Sequence, residues 1–193
     1  MANQVKVMLS NHHIHLMPED VEILFGPGYK IKIKKMLSPI EFAAEETVTL
    51  VGPKGKIEAV RVLGPVRKFT QVELLKADAV RLGINAPLKN SGDLQEAAPV
   101  KILGPVGEIQ VKGTIIALRH IHLSTETAES FGLKDKEYVS VRASGERALI
   151  FQHVMVRVSK NSTDVMHIDL EEGNAAGINN NDMLEILGSS QTQ

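Results

Sequence analysis

A chain of 193 residues, 43% hydrophobic and 23% charged, suits one large domain or two small ones with ample material for a core. A net charge of −1 gives no global attraction to nucleic acid or to an anionic membrane, though it leaves room for a local basic pocket. The absence of cysteine excludes disulfides, thiolate nucleophiles and Cys-based zinc sites, so any metal must be held by histidine and carboxylate.

From the N-terminus, Met1-Ala2-Asn3-Gln4 lacks the basic and apolar regions of a signal peptide. No later apolar run approaches the roughly 20 residues of a membrane span. The expectation is a soluble, cytoplasmic protein. The first segment with chemical content is His13-Ile14-His15-Leu16. In an extended strand residues i and i+2 share a face, so both imidazoles can converge on one point. Met17-Pro18-Glu19-Asp20, with proline in the first turn, opens a helix that Gly26 ends. Val48–Val51, Gly52-Pro53-Lys54-Gly55 and the alternating run Ile57–Leu63 predict a hairpin, and Val100–Leu103, Gly104-Pro105-Val106-Gly107 and Gln110–Ile116 predict another. Between them, Gln71-Val72-Glu73-Leu74 leads into Asp78–Asn85, and the polar stretch Lys89–Ala98 reads as a functional or linking loop.

The tetrapeptide then recurs as His120-Ile121-His122-Leu123, and a Ser124-Thr125-Glu126-Thr127 cap opens a stretch that ends at Phe131-Gly132. Val139-Ser140-Val141 and Val154–Val158 continue the strand habit, and Val165-Met166-His167-Ile168 leads into Gly173–Asn179. With aromatics at 4% and no tryptophan, the interior must be aliphatic. Many short strands, few helices and regular turns predict a mainly β protein of two small β-barrels made by internal duplication.

The duplication aligns Glu73 with His167, each eleven residues before the isoleucine of a Gly-Ile-Asn. One half therefore offers His13, His15 and Glu73, the other His120, His122 and His167. Chance pairs of surface histidines, or a solvated Glu, are the bland alternative. Equivalent placement in a repeat favours ligation instead. Three protein ligands with a vacancy is the arrangement of catalytic rather than structural zinc.

Longer strings carry a resemblance. Ser10-Asn11-His12-His13-Ile14-His15-Leu16, Phe42–Gly55, Arg61–Arg67 through Thr70-Gln71-Val72-Glu73, Arg119–Leu123, Met166-His167-Ile168-Asp169 and Asn174-Ala175-Ala176-Gly177 resemble the PduL-type phosphotransacylases, over roughly residues 5 to 187. That family interconverts acyl-CoA and inorganic phosphate with acyl phosphate and CoA, typically with propanoyl-CoA inside bacterial microcompartments. The resemblance implies two β-barrels capped by short helices, with two zinc ions at their junction. It implies a discontinuous first barrel (1–11 plus 118–193) interrupted by a second (12–117). It also implies metal ligation by His13, His15, Glu73, His120, His122 and His167, phosphate binding by Arg67, and a CoA pocket lined by Ser10, Asn11, Lys35, Arg61, Leu63 and Asn174. Among these, Arg61 and Lys35 suit CoA phosphates.

The chain departs from the family in two places. Members bound for a microcompartment often carry an amphipathic N-terminal extension of about twenty residues, whereas here about four residues precede the first strand, which leaves association with a shell or its cargo open. His12 stands where many relatives have arginine, and its ring is expected to face solvent. The expected partners are acyl-CoA, phosphate and acyl phosphate, with no nucleic acid and no membrane, and room for a homo-oligomer. With no cysteine and no Ser-His-Asp spacing, direct attack of phosphate is favoured over an acyl-enzyme. Two alternatives stand beside the transferase. One is a dinuclear zinc hydrolase of thioesters or phosphoesters, using the same ligands to make hydroxide. The other is a non-catalytic barrel stapled by metal. A large amidohydrolase barrel is excluded by length and by the short strands.

Overall fold

The computed structural model describes residues 3–189. In chain order its strands are β1 (Gln4–Ser10), β2 (His13–His15), β3 (Ile33–Met36), β4 (Phe42–Val51), β5 (Lys56–Gly64), β6 (Gln71–Glu73), β7 (Leu88–Lys89), β8 (Ala98–Leu103), β9 (Glu108–Ala117), β10 (His120–Leu123), β11 (Tyr138–Ala143), β12 (Leu149–Val158), β13 (Val165–Asp169) and β14 (Met183–Ser189). Four short helices interrupt them: α1 (Pro18–Phe25), α2 (Lys76–Leu82), α3 (Thr125–Phe131) and α4 (Leu170–Ala176). The protein is mainly β. No helix among the described residues is long and apolar enough to cross a membrane.

Local chemistry explains the helices. Pro18 opens α1 with Glu19 and Asp20 in its first turn, where the helix dipole favours negative charge. The Ser124 hydroxyl accepts from the Thr127 N–H at the start of α3, and Asp169 with Glu172 forms a full capping box on α4. Gly83, Gly132 and Gly177 end α2, α3 and α4 in the left-handed conformation that glycine adopts without strain.

The chain divides into two compact units. One gathers the residues up to Ser10 and from Leu118 onward; the other is Asn11–Ala117. The first is a closed barrel in the order β1-β13-β10-β12-β11-β14, with β14 pairing back to β1. The second closes in the same sense as β9-β6-β2-β5-β4-β8, with β8 pairing back to β9, while β3 and β7 add to its edges. Equivalent strands occupy equivalent places. β2 lies between β5 (parallel) and β6 (antiparallel), as β10 lies between β12 and β13.

Each barrel takes one strand from the other half of the sequence. β1, which precedes His13, completes the barrel holding His120, and β9, which precedes His120, completes the barrel holding His13. The period-2 alternation of strands sorts the side chains. Ile14, Val62 and Val72 are register partners inside one barrel, and Ile121, Val156 and Met166 inside the other; all six are fully buried. The histidines flanking each central isoleucine are thereby directed to the opposite face.

The predicted Gly-Pro-x-Gly hairpins close through Gly52 N–H to Gly55 O and Gly104 N–H to Gly107 O, both at 2.9 Å. Each tip also caps a helix: Lys54 N–H donates to Leu82 O at the end of α2, and Val106 N–H donates to Leu24 O near the end of α1. A Cβ at Gly52 or Gly104 would overlap those same carbonyl oxygens, so glycine is required by close approach.

Candidate functional site

In the central unit, β2 sets His13 opposite Glu73 and His15 opposite Gln71 on β6, with Arg61 and Leu63 alongside on β5. Both histidines are buried, at 8% and 3% exposure. One ligand atom from each of His13, His15 and Glu73 lies within 4.8 Å of the others, the one such group found among the described residues. The His13 Nδ1 is 2.8 Å from the Asn11 carbonyl oxygen. A carbonyl can only accept, so Nδ1 carries a proton and Nε2 is the nitrogen turned toward the site. That Nε2 is 3.5 Å from Glu73 Oε2, so imidazole and carboxylate converge on one point. His15 Nδ1 is buried with no hydrogen-bond partner. A converging imidazole nitrogen and carboxylate, beside an unmet buried nitrogen, are what a bound cation would satisfy. Two imidazoles with one carboxylate form a donor set suited to zinc.

The carboxylate is aimed by its neighbours. Glu73 Oε1 accepts from Gln71 Nε2 at 2.6 Å and from Ser91 Oγ at 2.7 Å, which leaves Oε2 for His13. Gln71 is fully buried and its own oxygen accepts the Gly92 N–H. The polar loop after Lys89 thus reaches the site through Ser91. Outer partners of this kind orient metal ligands and fix their basicity.

In the other unit, His120 and His167 are direct register partners and their rings stack at 5.3 Å. His122 completes a ring cluster at 4.9 Å from His120 and 5.5 Å from His167. His120 repeats the tautomer device of His13, with Nδ1 2.9 Å from the Leu118 carbonyl. Arg157 is the register partner of His122 on β12, where the other barrel has Leu63 beside His15.

The remaining predicted residues divide between the units. Arg67 lies after β5, its backbone N–H tied to Leu16 O and its guanidinium paired with Glu41 at 2.9 Å. Arg61 is anchored through Nη1 to the Ala44 and Glu45 carbonyls of β4. Leu63 is half-buried beside His15, Lys35 is exposed on the edge strand β3, and Asn11 supplies the carbonyl that holds His13. Ser10, at the end of β1, and Asn174, in α4, belong to the other unit. His12 is a correction to the sequence reading. Rather than facing solvent, its ring is half-buried against Asp78 at 2.8 Å. Gln71, Ser91 and Arg157 were missed. Their signal was modest: Gln71 opens the strand that carries Glu73, Ser91 sits in the flagged loop, and Arg157 lies on the strand parallel to the second His pair.

Burial pushes the His15 imidazole down to a pKa of about 2, helped by the charges of His13 and Arg67 and opposed by a hydrogen bond to the Leu63 backbone. Burial likewise lowers His120 to about 3, with Arg157 the next cause. In the metal-free folded protein both rings are therefore neutral, whereas in the unfolded chain they take up protons near pH 6.5. Stability is complete above about pH 6.5 and falls as pH drops toward those folded values. Urea midpoints measured with a chelator present should decline between pH 7 and pH 5, above the range where most carboxylates titrate. A flat or rising profile would contradict this assignment.

Comparisons with known proteins agree along nearly the whole chain. A family model described as phosphate propanoyltransferase matches residues 6–179. A phosphate propanoyltransferase of Thermotoga maritima is 50% identical over 184 residues, covering 94% of this chain and 88% of that protein. One from Rhodopseudomonas palustris is 49% identical (95% and 82% covered), and one from Clostridioides difficile is 43% identical (95% and 88%).

Proposed function

The chain belongs to the phosphate propanoyltransferase family and is a phosphate acyltransferase, and on that premise we propose that it moves the acyl group of a short-chain acyl-CoA, propanoyl-CoA foremost, to inorganic phosphate at a dinuclear zinc centre. The observation that carries the metal reading is the convergence of His13, His15 and Glu73 within 4.8 Å, with an imidazole nitrogen of His13 facing the carboxylate. His120, His122 and His167 would hold the second ion. Zinc, when bound, supplies Lewis-acid polarisation of the thioester carbonyl and of phosphate oxygens.

The chain's own residues do the rest. Arg67 offers a planar pair of donors to phosphate, and its present partner Glu41 is half-exposed enough to yield to a dianion. Arg61 and Lys35 pair with the phosphates of CoA. Holding phosphate beside the thioester makes the encounter nearly unimolecular, worth several kcal/mol of barrier. A phosphate oxygen bonds to the carbonyl carbon, the C–S bond breaks, and CoA departs as thiolate. With a thiol pKa of roughly 8.5, that leaving group needs little acid assistance.

The test is release of free CoA from propanoyl-CoA by the purified protein, followed with a thiol reagent. Release should require phosphate and yield propanoyl phosphate in equal amount. Release at the same rate without phosphate would make the protein a thioester hydrolase and overturn the proposal.

A further inference from the structure

Each half of the chain holds one further pair, at matching positions, that the acyl-transfer chemistry does not use. His12 immediately precedes His13, and its Nδ1 lies 2.8 Å from Oδ2 of Asp78, in the first turn of α2 and five residues beyond Glu73. Arg119 immediately precedes His120, and its Nε lies 2.8 Å from Oε1 of Glu172, in the first turn of α4 and five residues beyond His167. The residue types differ completely, yet a nitrogen donor and a carboxylate occupy the same two places in both repeats.

These are not loose surface pairs. The side chains are 21% and 13% exposed in one and 33% and 20% in the other. Arg119 is braced further by the Phe151 ring, 5.4 Å below its guanidinium. Glu172 also closes the α4 capping box, so Arg119 is tied to a carboxylate already fixed by its helix.

The clamped residue sits at a mechanically sensitive point. Asn11 O holds Nδ1 of His13, and Leu118 O holds Nδ1 of His120. In both cases the residue between that carbonyl and that imidazole is the clamped one. Fixing its side chain fixes the peptide whose carbonyl decides which ring nitrogen carries the proton. The other nitrogen is then free for a metal.

We propose that His12 and Arg119 are positioning residues: through Asp78 and Glu172 they hold the turns whose carbonyls set the orientation and tautomer of His13 and His120. This inference rests on the metal-binding reading above. It adds that each first ligand is aimed by a clamp reaching to the helix that follows the third ligand.

Two measurements on the full chain test it. Long-range 1H–15N spectra of metal-free protein report histidine tautomers without any metal. Wild type should show His13 and His120 protonated at Nδ1. His12→Ala should turn His13 into a tautomer mixture and leave His120 unchanged, and Arg119→Ala should do the reverse, so the unaffected ring serves as the control for folding. The double variant His12→Arg with Asp78→Glu, which transplants the other half's pair, should restore His13. In zinc competition titrations, each alanine variant should weaken one of two sites by about 10–100-fold and leave the other near its wild-type constant. Unchanged tautomers and unchanged zinc constants in His12→Ala would overturn the proposal, as would failure of the transplanted pair to restore His13. If wild type bound no zinc while the tautomers shifted as stated, the metal reading would fall and the positioning role would stand.

Discussion

Glu73→Gln is expected to lower phosphate-dependent acyl transfer by about 10³-fold and to remove one equivalent of bound zinc per chain. The size follows from what the carboxylate contributes. Lewis-acid stabilisation by a bound ion is worth several kcal/mol, and each 1.36 kcal/mol is a factor of ten in rate. The replacement is isosteric and keeps an amide oxygen that can still accept from Ser91 and Gln71, so the surrounding network is preserved. What is lost is the negative charge facing His13 Nε2 across 3.5 Å. Chelation of wild type should mimic the variant, and added zinc should rescue the chelated wild type but not Glu73→Gln at comparable concentration. Turnover within tenfold of wild type together with full zinc content would remove Glu73 from the ligand set.

Much of this architecture is legible in local pattern, because it is set by local chemistry. The His-x-His pairs, the alternation around Ile14 and Ile121, the Gly-Pro-x-Gly turns and the Ser124 cap are each encoded within a few residues. The exchange of β1 and β9 between barrels is not. Periodicity gives two consecutive halves, and the two interiors are both lined by Val, Ile and Leu, so the alternating apolar residues of either strand would fit either barrel. Only pairing between strands distant in sequence, such as β1 with β13, decides the matter. The same holds for the residues that were missed. Ser91 reaches Glu73 across eighteen positions and Arg157 meets His122 across a parallel register, contacts that no local periodicity can express. Alternation puts His12 opposite His13, a side that sequence pattern alone equates with solvent. α2 supplies Asp78 on that side, so the ring is covered.

Arg67→Ala is expected to raise the KM for phosphate by about 10- to 100-fold, the loss of a charge-assisted contact worth about 1.5–3 kcal/mol. The KM for acyl-CoA should move far less, and the fold should survive, for a reason visible in the repeat. Arg67 is tied to the end of the His-x-His strand by its backbone N–H to Leu16 O at 2.8 Å, and Ser159 makes the matching bond to Leu123 O at 3.1 Å in the other half. Serine performs that backbone task there without a guanidinium, so the arginine side chain is not a requirement of the turn. Its charge is held meanwhile by Glu41, a carboxylate 46% exposed and therefore a weak competitor. Glu41→Gln should accordingly lower the phosphate KM by a modest factor, opposite in sign to Arg67→Ala, and both effects should shrink as ionic strength rises. Steady-state kinetics with each substrate varied in turn separate the outcomes. An equal rise in both KM values would mean that Arg67 shapes the pocket as a whole rather than meeting the anion.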